Sequence, residues 1–186
     1  MAARPSTHRL FVALFPDSQV QGLLAQEARE LGLSPGLPVP LEHIHLTVLF
    51  LGPVPAARLE AAWVSVEAAA KGVGPVDLAD LVWALSPTPE SARLLALASP
   101  HCPPNLAELN RRLALRLAAQ GKRGQAFWPH LTLWRFPGPQ SVGLPGSTPG
   151  ITRLCLTDLA LVESRLTNAG ASHRRIATLS LAPSER

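Results

Sequence analysis

The sequence predicts a mixed α and β domain, α+β or α/β, with a largely antiparallel sheet. Three observations predict it. Short apolar runs closed by proline or glycine read as strands. Ala- and Leu-rich stretches with apolar residues three and four apart read as helices interleaved with them. Candidate hairpins in the second half favour antiparallel pairing. The 186 residues suit one domain spanning residues 1–186, or two small lobes sharing one core. Hydrophobic residues make up 47% and charged residues 16%, a balance that supports a buried core and excludes overall disorder.

Arg9–Phe15 is a compact apolar run closed by Pro16 and reads as a buried strand. Asp17 is placed to cap a helix whose stripe is Val20, Leu23, Leu24, Ala28 and Leu31. Pro35 to Pro40 reads as a rigid loop. Glu42–Leu51 alternates, with Ile44, Leu46, Val48 and Phe50 on one face and His43, His45, Thr47 and Leu49 on the other. Ala56–Lys71 reads as a helix with Leu59, Ala62, Trp63 and Val66 inward. Val76–Leu85 and Ala92–Ser99 read as strands paired around Ser86–Glu90. Asn105 and Glu108 are spaced as a capping box ahead of the stripe Leu106, Leu109, Leu113 and Leu117. A basic turn follows at Gly121–Gln125, then a strand at Trp128–Arg135. Phe136–Thr152 reads as a Pro/Gly loop, and Ile151–Glu163 and Ser172–Leu181 as a closing strand pair.

Cys102 and Cys155 are too few for a disulfide framework and lack CxxC spacing, so a reducing cytoplasm is expected. The first residues carry no apolar run with a cleavage site of the kind a signal peptide has, and no apolar run approaches the length of a membrane span. The net charge of +4 is compatible with a polyanionic partner without requiring one.

One pattern concentrates chemistry. His45-Leu46-Thr47-Val48 recurs 85 residues later as His130-Leu131-Thr132-Leu133. In each copy His and Thr lie two apart on a strand, so both side chains leave one face about 7 Å apart. A single His-x-Thr is within chance, whereas two complete His-Leu-Thr-aliphatic tetrapeptides in this composition are on the order of 10⁻⁴. Two imidazoles and two hydroxyls suit phosphodiester hydrolysis. One neutral histidine takes a proton from water and one imidazolium gives a proton to the leaving alkoxide. The hydroxyls hold non-bridging oxygens as charge builds in the transition state. The scheme requires no metal, and no carboxylate cluster of the kind magnesium favours accompanies the pair.

These motifs resemble those of the 2H phosphoesterase superfamily. Within it the chain is most similar to the RNA 2′,3′-cyclic phosphodiesterases, also called 2′-5′ RNA ligases. The similarity spans nearly the whole chain: the opening RLFVALFP, the first motif running into Phe50-Leu51-Gly52, Pro129 before the second, and the tail from Leu161 to Leu166. The resemblance implies a bilobal α+β fold, a pseudo-twofold pair of mainly antiparallel sheets with helices outside and a central cleft. It implies opening of a 2′,3′-cyclic phosphate to a 2′-phosphate, with reversible ATP-independent 2′-5′ joining as a side activity. By position, His45 is the proton donor and His130 the proton acceptor, Thr47 and Thr132 hold the phosphate, and Phe50 and Arg135 contact the terminal nucleotide. The expected partner is RNA with a 2′,3′-cyclic phosphate end or a cyclic nucleotide, met by a monomer without cofactor or metal.

Strict alternation puts Phe50 and Arg135 on the face opposite His and Thr, so their contact with substrate requires a strand end, bulge or twist. The tail carries Asn168 and His173 where similar sequences have Pro and Tyr, while Gly170 fits the expected turn. Two rival functions remain. A zinc hydrolase would use His43, His45 and His130 and lose activity to EDTA. A non-catalytic RNA-binding module would use Arg111, Arg112, Arg116, Lys122 and Arg123, with Arg174 and Arg175, to track phosphates. Among the tryptophans, Trp63 and Trp83 read as core, and Trp128 and Trp134 as cleft walls. His8 and His101 carry no assigned chemistry.

Overall fold

The structure, a computed structural model, describes residues 6–117, 127–167 and 170–181. The basic turn Gly121–Gln125 and Asn168 lie outside them. Among the described residues, ten strands and three α-helices follow one another as β1 (Thr7–Phe15), α1 (Ser18–Glu30), β2 (Leu37–Pro38), β3 (Leu46–Pro55), α2 (Leu59–Ala70), β4 (Val76–Leu78), β5 (Val82–Ser86), β6 (Ala92–Ala98), α3 (Pro104–Leu117), β7 (His130–Gln140), β8 (Leu154–Leu156), β9 (Asp158–Thr167) and β10 (Gly170–Ser180). Every strand pairing among the described residues is antiparallel, which makes the fold α+β.

The main sheet runs β10-β9-β1-β3-β7-β6-β5, with β2 also on β7, and β4 pairs with β8 apart from it. Its two four-stranded halves meet at one rung, Leu46 opposite Leu131. Beyond that rung β3 leaves β7, and β2 takes over pairing with Trp134 and Arg135. The halves therefore splay apart from a common seam, and a cleft opens over it. Gly36 makes the β2 approach possible: at φ +129°, a Cβ there would collide with the Arg135 carbonyl and the Trp134 indole.

Most of the core lies on the face of the sheet where the helices pack. Asp17 caps α1 as expected, accepting a hydrogen bond from the Val20 N–H at 2.9 Å. The buried stripe of α1 is Gln21, Leu24, Ala25 and Ala28, so Leu23 faces outward instead. In α3, Leu106, Leu109 and Leu113 are buried as the spacing predicts. The capping box does not form: Asn105 reaches across to the carbonyls of Gly74 and Pro75, and Glu108 pairs with Arg111 and Arg112. Half-buried carbonyls of a distant segment hold the Asn105 side chain in place of a local cap.

Two further expectations change for the same reason. Val76–Leu85 is not one strand: the chain breaks at Asp80, which has φ +53°, and β4 turns away to pair with β8. The Pro/Gly segment after Phe136 is strand as far as Gln140, because β6 pairs with it. At the seam, Leu131 is fully buried with no solvent exposure. Leu131→Ala is expected to destabilise the fold by about 2–5 kcal/mol. Chemical denaturation measures this, and a loss below about 1 kcal/mol would mean that the two halves do not depend on their shared rung.

Candidate active site

The segment before β3 is a single 3-10 turn, Leu41–His43, leading into an extended Ile44. Buried Gln21 of α1 donates to the Ile44 carbonyl at 3.1 Å and fixes this entry. The His45 Nδ1–H donates to the carbonyl of His43 at 2.6 Å, and its Nε2 stands 3.1 Å from the Thr47 hydroxyl. At the start of β7 the same device recurs: the His130 Nδ1–H donates to the Trp128 carbonyl at 2.8 Å. A carbonyl only accepts, so each imidazole is held with its proton on Nδ1 and its Nε2 released for chemistry.

The seam brings the two motifs together. With Leu46 opposite Leu131, antiparallel register sets His45 level with Thr132 and Thr47 level with His130. Each threonine also faces a small neighbour on its other side, Ala13 of β1 and Ala96 of β6, so the floor stays low around both hydroxyls. Arg135 lies close enough for its charge to act on His45, His130 and His173 alike.

The alternation that sets Phe50 and Arg135 away from the motifs is broken twice, at equivalent positions. Between β1 and β3 the register passes from Val12–Leu49 to Ala13–Thr47 and leaves Val48 extra. Between β6 and β7 it passes from Leu95–Trp134 to Ala96–Thr132 and leaves Leu133 extra. Each is a β-bulge three residues after the histidine, and one extra residue reverses every later side chain. The carbonyls it frees are satisfied, Val48 by the Asn110 side chain at 2.6 Å and Leu133 by the Val39 N–H at 2.8 Å. Leu49 and Trp134 consequently turn into the core, so Trp134 is not a cleft wall. Phe50, 73% exposed, comes onto the histidine face with its ring 6.0 Å from Phe11. Arg135 comes onto the same face of the other half.

The floor under the first half of the cleft is apolar, formed by Phe11, Ala13, Phe15, Ala160 and Val162. His45 stacks on Phe11 at 5.0 Å and lies 5.4 Å from the Phe15 ring. Burial there lowers its pKa to about 4, with the positive fields of His173, Arg135 and His43 adding to the effect. His130 stacks on Trp128 with ring centroids 3.9 Å apart, and burial followed by Arg135 lowers its pKa too. Trp128 therefore does line the site.

Sequence reasoning singled out His173 only as a departure from similar tails. On β10 its backbone N–H donates to His43 Nε2 at 3.4 Å, and its ring meets His45 edge-on at 5.5 Å and Phe11 at 5.2 Å. Burial first, then His43 and Arg135, lower its pKa to about 4. Its strand is far from β3 in the chain, and no local pattern links it to His45. Arg175, next but one along β10, lies over the Phe15 ring at 3.7 Å. His43 belongs to the turn rather than to a strand face. Among the described residues no three His, Cys, Asp or Glu side chains converge as a metal site would require. Within the basic stretch, Arg111 and Arg112 are engaged with Glu108, while Lys122 and Arg123 lie outside the described residues. No described helix is long and apolar enough to cross a membrane.

No family model matches the sequence, and no curated protein matches it. Solved structures do. E. coli LigT in complex with 3′-AMP is 23% identical, the match covering 95% of this chain and 99% of that one at a TM-score of 0.75. A Thermus thermophilus protein is 23% identical, with 96% and 100% covered and a TM-score of 0.74. A structure described as a phosphoesterase is 22% identical, with 94% and 99% covered and a TM-score of 0.73. Over nearly its whole length, this chain has the fold of the LigT structures.

Proposed function

We propose that the chain is a 2H phosphoesterase that opens 2′,3′-cyclic phosphates at RNA ends to 2′-phosphomonoesters by two-histidine acid/base catalysis. The observation that carries this reading is the repeated platform. Two His-x-Thr motifs flank one rung, and each imidazole has its Nδ1 proton anchored to the carbonyl two residues upstream. His130 Nε2 takes a proton from water, and the resulting hydroxide attacks phosphorus. His45, as imidazolium, gives its Nε2 proton to the departing 3′ oxygen while the phosphate stays on the 2′ oxygen. Thr47 and Thr132 donate to the non-bridging oxygens. Phe50 and Arg135 supply an aromatic face and a guanidinium plane for the terminal nucleotide. With an RNA 5′-hydroxyl in the place of water, the same transfers form a 2′-5′ linkage without ATP.

The LigT structures hold 3′-AMP, NADP+, ATP or phosphate, which supports a nucleotide ligand for the equivalent cleft here. Incubation with a nucleoside 2′,3′-cyclic phosphate in EDTA tests the reading. A 2′-monophosphate is the expected product. A 3′-monophosphate would redirect the chemistry to the other bond, loss of turnover in EDTA would favour the zinc hydrolase, and RNA binding without turnover would favour the binding module.

A further inference from the structure

Each motif imidazole leans on aromatic rings, and the two sets of rings differ in their access to solvent. His45 lies against Phe11 and Phe15, which are 3% and 1% exposed and belong to the packed floor of that half. His130 lies against Trp128, with ring centroids 3.9 Å apart and planes 18° apart, and Trp128 is 37% exposed. One face of the indole is spent on the imidazole, and the exposed remainder is open to a ligand. Among the described residues, Phe50 and Trp128 are the exposed phenylalanine and tryptophan side chains. Phe50 stands on β3, in the half that carries His45, and Trp128 directly precedes β7, in the half that carries His130.

Local contacts hold the indole in place. Pro129 follows it with a fixed φ and is buried, and its carbonyl accepts from the Ser99 N–H at 3.0 Å, which ties the segment to the end of β6. The Trp128 carbonyl accepts from the His130 Nδ1–H at 2.8 Å. A ring oriented beforehand reduces the ordering cost of stacking a ligand on it. Beyond His130, the row across the sheet reads Ala98 and then Val82, which is 47% exposed. The surface on that side is therefore small, apolar and uncharged. It suits the flat face of a base and carries no cation for a phosphate.

In a phosphoryl displacement the entering and leaving oxygens stand roughly in line on opposite sides of phosphorus. With His45 serving the departing 3′ oxygen, the entering oxygen stands at His130 Nε2. The two exposed rings thus fall one to each side. Phe50 serves the nucleotide whose 3′ oxygen leaves, and Trp128 is beside the group that enters. Water has no use for an aromatic surface, whereas a nucleoside does.

We propose that Trp128 is the stacking platform for a second nucleoside, the 5′-hydroxyl end of an RNA that enters in place of water. The inference rests on the reading of the cleft as a cyclic phosphodiesterase and names its acceptor subsite for 2′-5′ joining. The acceptor's 5′-hydroxyl gives its proton to His130 Nε2 as its oxygen bonds to phosphorus. The bond from phosphorus to the 3′ oxygen breaks, and His45 supplies the proton which that oxygen takes. One ester replaces another, so the step consumes no further reactant. Stacking uses the π-face that every base has, so the subsite demands a base without selecting which one.

Partition between water and acceptor tests this, because both routes use the same two histidines and a change at His130 enters both. Cytidine 2′,3′-cyclic phosphate is the donor. The acceptors are adenosine and methyl riboside, which has the 5′-hydroxyl but no base. The wild type is expected to join adenosine about tenfold more efficiently than methyl riboside, relative to hydrolysis. Trp128→Ala should erase that preference, and Trp128→Phe, which keeps a ring, should restore most of it. A merely structural role for Trp128 would lower joining to both acceptors alike and leave the preference intact, which overturns the subsite. A wild type that hydrolyses the donor without preferring adenosine overturns it too. Tryptophan emission reads binding without turnover, since Trp128 is the exposed indole. Adenosine should quench the wild type and Phe50→Ala but not Trp128→Phe, with thermal melts to verify each fold, and an unquenched wild type counts against the platform. If the wild type turns over no cyclic phosphate, the phosphodiesterase reading fails, and the quenching still decides whether Trp128 takes a base.

Discussion

His130→Ala and His45→Ala are each expected to lower kcat for cyclic-phosphate hydrolysis by about 10²–10⁴-fold, the usual worth of a positioned acid or base. The physical argument is geometric. Each imidazole sits on the cleft face, while the adjacent Leu46 and Leu131 carry the packing on the opposite face. Removing a ring therefore takes away a proposed proton carrier without opening the core, and the melting temperature should move little. RNA affinity should also stay close to wild type, because the proposed phosphate and base contacts come from other side chains. The double variant should be scarcely worse than either single one, since the two groups act in one step and their effects do not add. Loss of RNA binding in step with loss of turnover would support the binding module instead.

The second large effect is on pH. Both histidines are pushed below the ordinary imidazole value, His45 to about 4, by burial and neighbouring positive charge. The proposed reaction needs one imidazole charged and the other neutral. In the free enzyme that state is most populated on the acid side of 6.5, so kcat/KM should follow a bell with its optimum there. A bound phosphodiester anion favours the charged imidazole, so the kcat profile should lie at higher pH.

The groups facing His45 are His43 from the turn, His173 from β10, Arg135 from β7 and the uncharged Phe11 and Phe15 from β1. His173→Phe removes one positive field and keeps a ring against Phe11, so it should move the kcat/KM bell upward in pH. A merely structural role for His173 would lower activity at every pH without moving the optimum. A flat profile between pH 5 and 9 would sink the two-histidine mechanism altogether.

Much of this site is legible in the chain because its parts are local. Imidazole and hydroxyl two apart on a strand share a face whatever the strand's neighbours are, and the repeat of the pattern signals a pair of platforms. The bulges are not legible. Val48 and Leu133 are extra only because β1 and β6 pair past them, and their carbonyls are tolerated only because Asn110 and Val39 reach them from distant parts of the chain. Strict alternation accordingly misplaces Phe50, Leu49, Arg135 and Trp134, all beyond those two residues. The capping box at Asn105 fails for a related reason. Half-buried carbonyls at Gly74 and Pro75, far off in the chain, take its amide N–H groups.

By itself the sequence determined which chemical groups stand on which short strand, and that a mostly antiparallel α+β domain carries them. Tertiary structure alone decided that the two platforms share the Leu46–Leu131 rung, that Phe50 and Arg135 return to the cleft, that His173 leans on His45, and that a buried Glu163 holds two arginines toward solvent. The division follows from range. Side-chain direction along a strand repeats every two residues and can be read locally, whereas register and strand adjacency are set by burying apolar surface and satisfying carbonyls between segments far apart in the chain.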